Sequence, residues 1–193
     1  MNLLAKKITL FYIYKGKIEK KDYETYVYCF EMLISNILNF IIILFGALIT
    51  KKYFETLIFS LVFVFLRRGL GGYHSKTHLG CIFLLIIMYV TMIIFVNYKS
   101  ELIDKIAIRL MILCLIPISL LSPIEHPFNP ITQTKKDNLN MFATLYSCLL
   151  CIISLVLIIY KNKYFASIYI PFLFSTASMI FGKIMYKNAS YDK

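Results

Sequence analysis

Met141-Phe-Ala-Thr-Leu-Tyr-Ser-Cys148-Leu-Leu-Cys151-Ile-Ile-Ser-Leu-Val-Leu-Ile-Ile-Tyr160 runs for twenty residues without a charge. About twenty apolar residues let a helix cross the hydrocarbon core of a bilayer, so this stretch predicts a membrane span. Composition extends the reading to the whole chain of 193 residues. Hydrophobic residues make up 60% and charged residues 16%, against roughly a quarter charged in soluble proteins. Mean hydropathy is +0.74. A soluble fold of this size has too little interior to hide that much apolar surface, so lipid must cover it.

Five further apolar runs accompany the first: Met32–Ile49, Tyr53–Leu66, Leu79–Val96, Ile106–Leu121 and Tyr164–Tyr186. The Tyr53–Leu66 run is short, which suits a tilted helix with snorkelling basic ends or a segment that dips in and returns. The Ile106–Leu121 run carries Arg109 and Pro117. An arginine at membrane depth is costly and usually faces protein or water, so this helix is either shifted toward the interface or functional. Ahead of the runs, residues 1–14 are too short to span, and no small-residue cleavage site follows them. Lys17–Glu31 sets Tyr23, Tyr26, Val27 and Phe30 at helical spacing opposite Lys20, Lys21 and Glu24, an amphipathic pattern suited to the membrane surface. The expected fold is therefore all-α and integral to a membrane. It has about six hydrophobic helices, some short or re-entrant, preceded by an amphipathic N-terminal helix within residues 1–31, all in one domain spanning 1–193.

The formal charge of +11 sits between the apolar runs rather than in a separate basic domain, which argues against nucleic acid as a partner. Topology accounts for most of it, because Lys and Arg hold loops on the cytoplasmic side. With the N-terminus inside, segments 1–31, 67–80, 122–140 and the C-terminal tail hold 14 Lys and Arg, and the outside segments hold 7. This bias places both termini, the Arg67–Gly80 loop and the Ser122–Asn140 loop in the cytoplasm. Such loops also attract acidic peptides or anionic lipid.

Polar chemistry concentrates in those two loops. Gly69, Gly71, Gly72 and Gly80 fall in one, Pro123, Pro127 and Pro130 in the other, and all three histidines (His74, His78, His126) are shared between them. The first loop reads Arg67-Arg68-Gly-Leu-Gly-Gly-Tyr-His74-Ser-Lys76-Thr-His78-Leu-Gly-Cys81. Cutting a peptide bond with sulfur needs a thiolate, a base to form it and hydrogen-bond donors for the oxyanion. Cys81 offers the sulfur, His74 or His78 the base, and the backbone N–H groups of Gly71 and Gly72 the donors. An imidazolium and the cations of Arg67, Arg68 and Lys76 favour the thiolate. On one straight helix His74 and Cys81 stand about 10 Å apart along the axis, too far for a hydrogen bond. A His74 base therefore needs a chain reversal, for which Gly80 offers a place, whereas His78 neighbours Cys81 at i,i+3. The bland alternative is a glycine-rich turn with arginines at the membrane edge. The other cysteines, Cys29, Cys114, Cys148 and Cys151, read as small apolar residues rather than a disulfide framework.

Gly71-Gly72-Tyr73-His74, then six residues and Cys81, with Arg67 and Arg68 before them, resembles the accessory gene regulator B family, the membrane endopeptidases of bacterial peptide quorum sensing. The resemblance extends to length, the basic N-terminal segment, the number of apolar runs and the proline-containing loop, although only the Arg-Gly-His-Cys stretch is motif-specific. It implies Cys81 as nucleophile and His74 as base, with no cofactor and no metal. It implies a partner too, a short membrane-associated propeptide whose acidic C-terminal tail is removed. The rest of the peptide stays on the cysteine as a thioester until an internal Cys or Ser closes a thiolactone or lactone ring. A homodimer in the bacterial cell membrane, with its active-site loop on the cytoplasmic side, is also implied. Arg67, Arg68, Lys76, Lys135 and Lys136 are expected to hold the acidic tail, and Glu125 or Asn129 to orient His74. Two other classes stay open on the residues alone. His74-x3-His78-x2-Cys81, completed by Glu125 or His126, has the ligand types of a transition-metal site, and a small non-catalytic transporter would need little beyond the spans.

Overall fold

The computed structural model describes residues 2–71, 78–98, 100–124, 132–160 and 162–189, with only the backbone of residues 2, 78, 79 and 186–189. Each apolar run of the sequence becomes one helix. They are α2 (Tyr23–Thr50), α3 (Tyr53–Leu70), α4 (His78–Asn97), α5 (Glu101–Leu121), α6 (Gln133–Ile159) and α7 (Phe165–Ala189), preceded by α1 (Asn2–Tyr14). The fold is all-α. Four helices among the described residues, α2, α4, α6 and α7, are long and apolar enough to cross a membrane. The other two are of spanning length but more charged: α3 carries Glu55, Arg67 and Arg68, and α5 carries Asp104, Lys105 and Arg109.

The N-terminal region differs in detail from the expectation. Residues 2–14 form a helix of their own, while the amphipathic segment continues into the first apolar run as the single helix α2. The break falls at Gly16, whose φ of +65° ends α1 in a left-handed turn. The Gly16 N–H bonds to the Ile13 carbonyl and the Lys17 N–H to the Tyr12 carbonyl, satisfying carbonyls that would otherwise end the helix unpaired. Between Tyr23 and Phe45 no Gly or Pro interrupts the helical ladder, so nothing separates an interfacial helix from the span. α1 folds back on α2, with Tyr12 stacked on Phe30.

Helix α7 is the axis of the bundle. It packs against α3, α4, α5 and α6, and 67% of its most apolar stretch is buried, against 17% for α2. Phe59 and Leu66 of α3, Met92 of α4, Met111 and Ile118 of α5, and Phe172 and Met179 of α7 form the core. The outer faces carry large apolar residues such as Phe40, Phe83, Leu113, Leu145 and Ile152. Lipid is the solvent that lets such faces stand outward.

Two polar contacts run along α3 and α7 and fix their direction. The buried Glu55, in the first turn of α3, pairs with Lys163, just ahead of α7, at 2.8 Å. Further along both helices, Arg67 Nη1 donates to Ser178 Oγ at 3.1 Å. The two helices are thus parallel and travel together, so the short second run is a continuous helix rather than a re-entrant loop. Helix α2 is tied to α4 at its far end, where the Tyr89 hydroxyl bonds both Thr50 at 3.1 Å and Thr56 at 2.9 Å. There the Tyr89 ring lies so close to Gly46 that a Cβ at that glycine would fall 2.6 Å from it. Arg109 is exposed on the outside of α5, two turns from the helix start, which fits a helix shifted toward the interface.

Candidate active site

The α3 C-terminus and the α4 N-terminus meet at one end of the bundle, and the α5–α6 connection joins them there. The Ile124 N–H donates to the Leu70 carbonyl at 3.0 Å, and Gly71 pairs with Ile124 in an isolated parallel bridge. The two loops singled out in the sequence therefore touch. Gly71 has φ +66° and ψ −135°, and a Cβ there would lie 2.5 Å from the Ile124 carbonyl oxygen. Only glycine fits such a conformation at such a distance. The N–H of Gly71 is committed to the Arg67 carbonyl at 3.2 Å, where it caps α3. Glycine at this position is thus explained by backbone shape and loop contact, and its N–H already has a partner.

One expectation about the chain path is corrected. Gly80 lies inside α4, which is helical from His78 onward, so the reversal does not occur at Gly80. Helix α3 ends at Leu70 and α4 begins at His78, and residues 72–77 lie outside the described residues. His74, together with Gly72 and Lys76, lies in that interval, outside the described residues, as do Glu125, His126 and Asn129 of the other loop. His78 is the first residue of α4, one turn ahead of Cys81.

Cys81 is half-buried and faces a partly open cavity of about 340 Å³ lined by α2, α3, α4 and α7. The apolar part of its wall comes from residues such as Phe63, Leu85, Met88 and Phe174, and the polar part from Asn39, Arg67, Ser175 and Ser178. The Asn39 amide donates toward the Cys81 sulfur at 3.9 Å. Among the described residues its Oδ1 is buried without a hydrogen-bond partner, and so is the Oγ of Ser175. Buried polar groups left unpaired are rare and call for an explanation.

The position along α2 sets the depth of the cavity. Asn39 is seven residues beyond Met32, where the apolar run begins, which corresponds to about 10 Å along a helix axis. Cys81 is thus level with the apolar part of α2 rather than with its charged N-terminal turns.

The two arginines have separated. Arg67 is half-buried, reaches Ser178 and lines the cavity, while Arg68 is exposed on the outside of α3. Lys135 is exposed and Lys136 half-exposed in the first turn of α6. Cys29, Cys81, Cys114, Cys148 and Cys151 are all free thiols, and Cys148 and Cys151 sit one turn apart within α6. Among the described residues, no three His, Cys, Asp or Glu side chains gather as a metal site would require; His74 and the His78 side chain are not among them.

Asn39, Ser175 and Ser178 were not singled out by sequence reasoning. The available signal was an Asn in the middle of an apolar run, since a polar residue at membrane depth marks a bundle interior or a pathway. The serines carry no such signal, because short hydroxyl residues bond back to their own helix and pass unnoticed in spans.

Fold and site together define a helical membrane protein that keeps a free thiol in the wall of an intramembrane cavity. A sequence model of the accessory gene regulator B family matches residues 4–180. The match covers most of the chain, and the protein belongs to that family, whose role is the processing of quorum-sensing peptides. No curated protein and no solved structure gives a significant match.

Proposed function

We propose that the protein is a membrane cysteine endopeptidase that removes the C-terminal tail of a quorum-sensing propeptide. The observation that carries this reading is Cys81 in the cavity wall, with the Asn39 amide toward its sulfur and Arg67 lining the same cavity. The thiolate of Cys81 attacks the carbonyl carbon at the scissile bond, His74 having taken the thiol proton. As the C–N bond breaks, the imidazolium returns that proton to the leaving amine, which becomes the N-terminus of the released tail. The acyl group remains on sulfur as a thioester. An internal thiol or hydroxyl of the peptide then gives its proton to His74 and attacks the thioester carbonyl, a ring forms as the acyl–sulfur bond breaks, and Cys81 leaves as thiolate. A thioester keeps the acyl group activated for this second step, and an apolar site restricts the water that would otherwise hydrolyse it.

Gly72 remains a candidate donor for the oxyanion, whereas the N–H of Gly71 already bonds the Arg67 carbonyl. Arg68, Lys76, Lys135 and Lys136 provide cationic surface for an acidic tail near the joined loops, and Glu125 or Asn129 orients His74. The excess of Lys and Arg in these segments supports a cytoplasmic position for the site. A homodimer is part of the same reading, and exposed apolar faces on α2, α5 and α6 offer a second copy a surface. The experiment is mass spectrometry of membranes that hold the protein and a short propeptide with an internal Cys and an acidic tail. Wild type should yield free tail and an acyl-peptide on Cys81, and Cys81→Ser and His74→Ala should yield neither while still inserting into the membrane. Equal products from wild type and Cys81→Ser would sink the cysteine mechanism.

A further inference from the structure

At the end of the bundle away from the joined loops, a second, partly open pocket of about 490 Å³ lies between the end of α4, the start of α5 and the α6–α7 connection. Phe95, Val96, Ile158 and Phe165 give it apolar wall, and the first turns of α5 contribute Glu101, Asp104 and Lys105. Lys163 also lines it, but the buried Glu55 balances that charge at 2.8 Å. Among the described lining residues this leaves two carboxylates and one ammonium, a balance that favours a guest with a positive group. Exposed tyrosines mark the level of the pocket in the membrane. Tyr53, Tyr98 and Tyr160 stand at the ends of α3, α4 and α6 on this side of the bundle, and Tyr collects where lipid headgroups meet water. Beneath the pocket, one turn into α7, the ring of Tyr169 packs on Phe165 at 4.7 Å and on Phe95 at 5.9 Å between centroids. Tyr169 is 3% exposed, and among the described residues its hydroxyl has no hydrogen-bond partner. The charge that acts on this hydroxyl is that of Asp104, which sets it toward the pocket. A buried hydroxyl without a partner is uncommon, and here it is a donor that an oxygen of a guest would satisfy.

We propose that this pocket binds the headgroup of a phospholipid that carries a primary ammonium, in the leaflet opposite the joined loops. Glu101 and Asp104 accept hydrogen bonds from the ammonium, Lys105 and the Tyr169 hydroxyl donate to the phosphate, and the apolar wall meets the first carbons of the chains. Residues three and four apart on a helix stand about 5–6 Å from each other, so the acids and Lys105 lie within the span of one headgroup. A quaternary ammonium has the charge but no N–H to donate, and an anionic headgroup meets two carboxylates. Both are therefore poorer guests. The site is separate from the cleavage chemistry and holds or fails without it.

The test uses the full chain in detergent with an equimolar mixture of phosphatidylethanolamine, phosphatidylcholine and phosphatidylglycerol of identical chains, and native mass spectrometry reads the bound lipid. Hydrogen bonds to charged groups favour the ethanolamine lipid by about tenfold or more over either competitor. Glu101→Gln and Asp104→Asn keep the shape of the α5 start. Each should cut that preference severalfold, and the two together should bring it to the level of phosphatidylcholine. Tyr169→Phe removes an unpaired buried hydroxyl, which in a purely structural role is neutral or stabilising. A melting temperature no lower than that of wild type, with retention of the ethanolamine lipid reduced about tenfold, is the expected result. Soluble phosphoethanolamine, which has no chains, should not displace the lipid at equal concentration. Displacement there would make the ligand a free metabolite and overturn the lipid assignment. Equal retention of the three lipids, or a preference that survives both Asp104→Asn and Tyr169→Phe, would overturn the site itself.

Discussion

Replacing Gly71 by alanine perturbs the contact that joins the two loops, and its effect can be worked from the structure. Alanine at φ +66° and ψ −135° occupies a region that costs a residue with a side chain about 1–3 kcal/mol. Its Cβ would also stand 2.5 Å from the Ile124 carbonyl oxygen and 3.1 Å from the Ile124 nitrogen. Neither backbone atom can rotate away, so the loops must separate. The Ile124 N–H to Leu70 carbonyl bond, 3.0 Å long, is then lost, at about 1 kcal/mol. That bond is missing from the open state of wild type and variant alike, so the conformational penalty of about 1–3 kcal/mol sets the shift, roughly a 5- to 160-fold rise in the population with the loops apart. Hydrogen exchange read by mass spectrometry suits the assay, because Pro123 has no N–H and Ile124 reports alone on its side of the bridge. Exchange at Ile124 should accelerate by that factor while the amides of α7 keep their protection. Propeptide cleavage should fall as well, even though alanine retains the backbone N–H at position 71. Unchanged exchange at Ile124 would refute the account of why this position is glycine.

The remaining predictions concern other parts of the molecule. His78→Ala should retain substantial cleavage activity, since His74 is the proposed base, and complete loss would transfer that role or revive the metal reading. Arg67→Gln, which removes the bond to Ser178, should lower kcat/KM at any ionic strength. Arg68→Gln should instead weaken capture of an acidic tail in a way that high salt reproduces in wild type, and identical salt behaviour in the two variants would contradict the inward and outward placement. Glu55 holds the Lys163 ammonium above its usual pKa by bonding to it. The stabilisation is complete below the ordinary lysine value, about 10.4, and is lost as pH rises through the raised one. Melting temperature in detergent should fall over that alkaline interval in wild type, and a Lys163→Met variant that lacks the pair should show a smaller fall.

The helices were legible because each is an apolar run long enough to be read without knowing its neighbours. The merger of the amphipathic segment with the first span was less so, since amphipathic and apolar patterns share the same 3.6-residue period and nothing in residues 23–45 marks a boundary. The paired loops were visible through their crowding of Gly, Pro and His, but not the backbone bridge between Gly71 and Ile124. That bridge depends on a dihedral angle at one residue and a close approach from another over fifty positions away. Gly80 misled because a glycine near a helix start reads as a turn, while the early start of α4 makes it one more helical residue. Arg67 and Arg68 look alike in sequence, and only the rotation of α3 about its axis sends one inward and the other out. The spans themselves held more polar chemistry than expected. Asn39 and Ser175 are unremarkable alone and become informative when packing brings α2 and α7 around the same thiol.

The pairing of α3 with α7 at both ends distributes stiffness unevenly around the thiol. Clamped at Glu55–Lys163 and again at Arg67–Ser178, these two helices form a frame with little freedom to part. Helix α2 is the opposite case, since it buries little of itself and its firm attachments to α4, Tyr89 against Gly46 and Thr50, gather at the end away from the joined loops. Local opening requires least work where the fewest buried contacts must be given up. The α2 side of the cavity is therefore the part of its wall whose displacement gives up the fewest buried contacts, and the outer face of that helix is apolar.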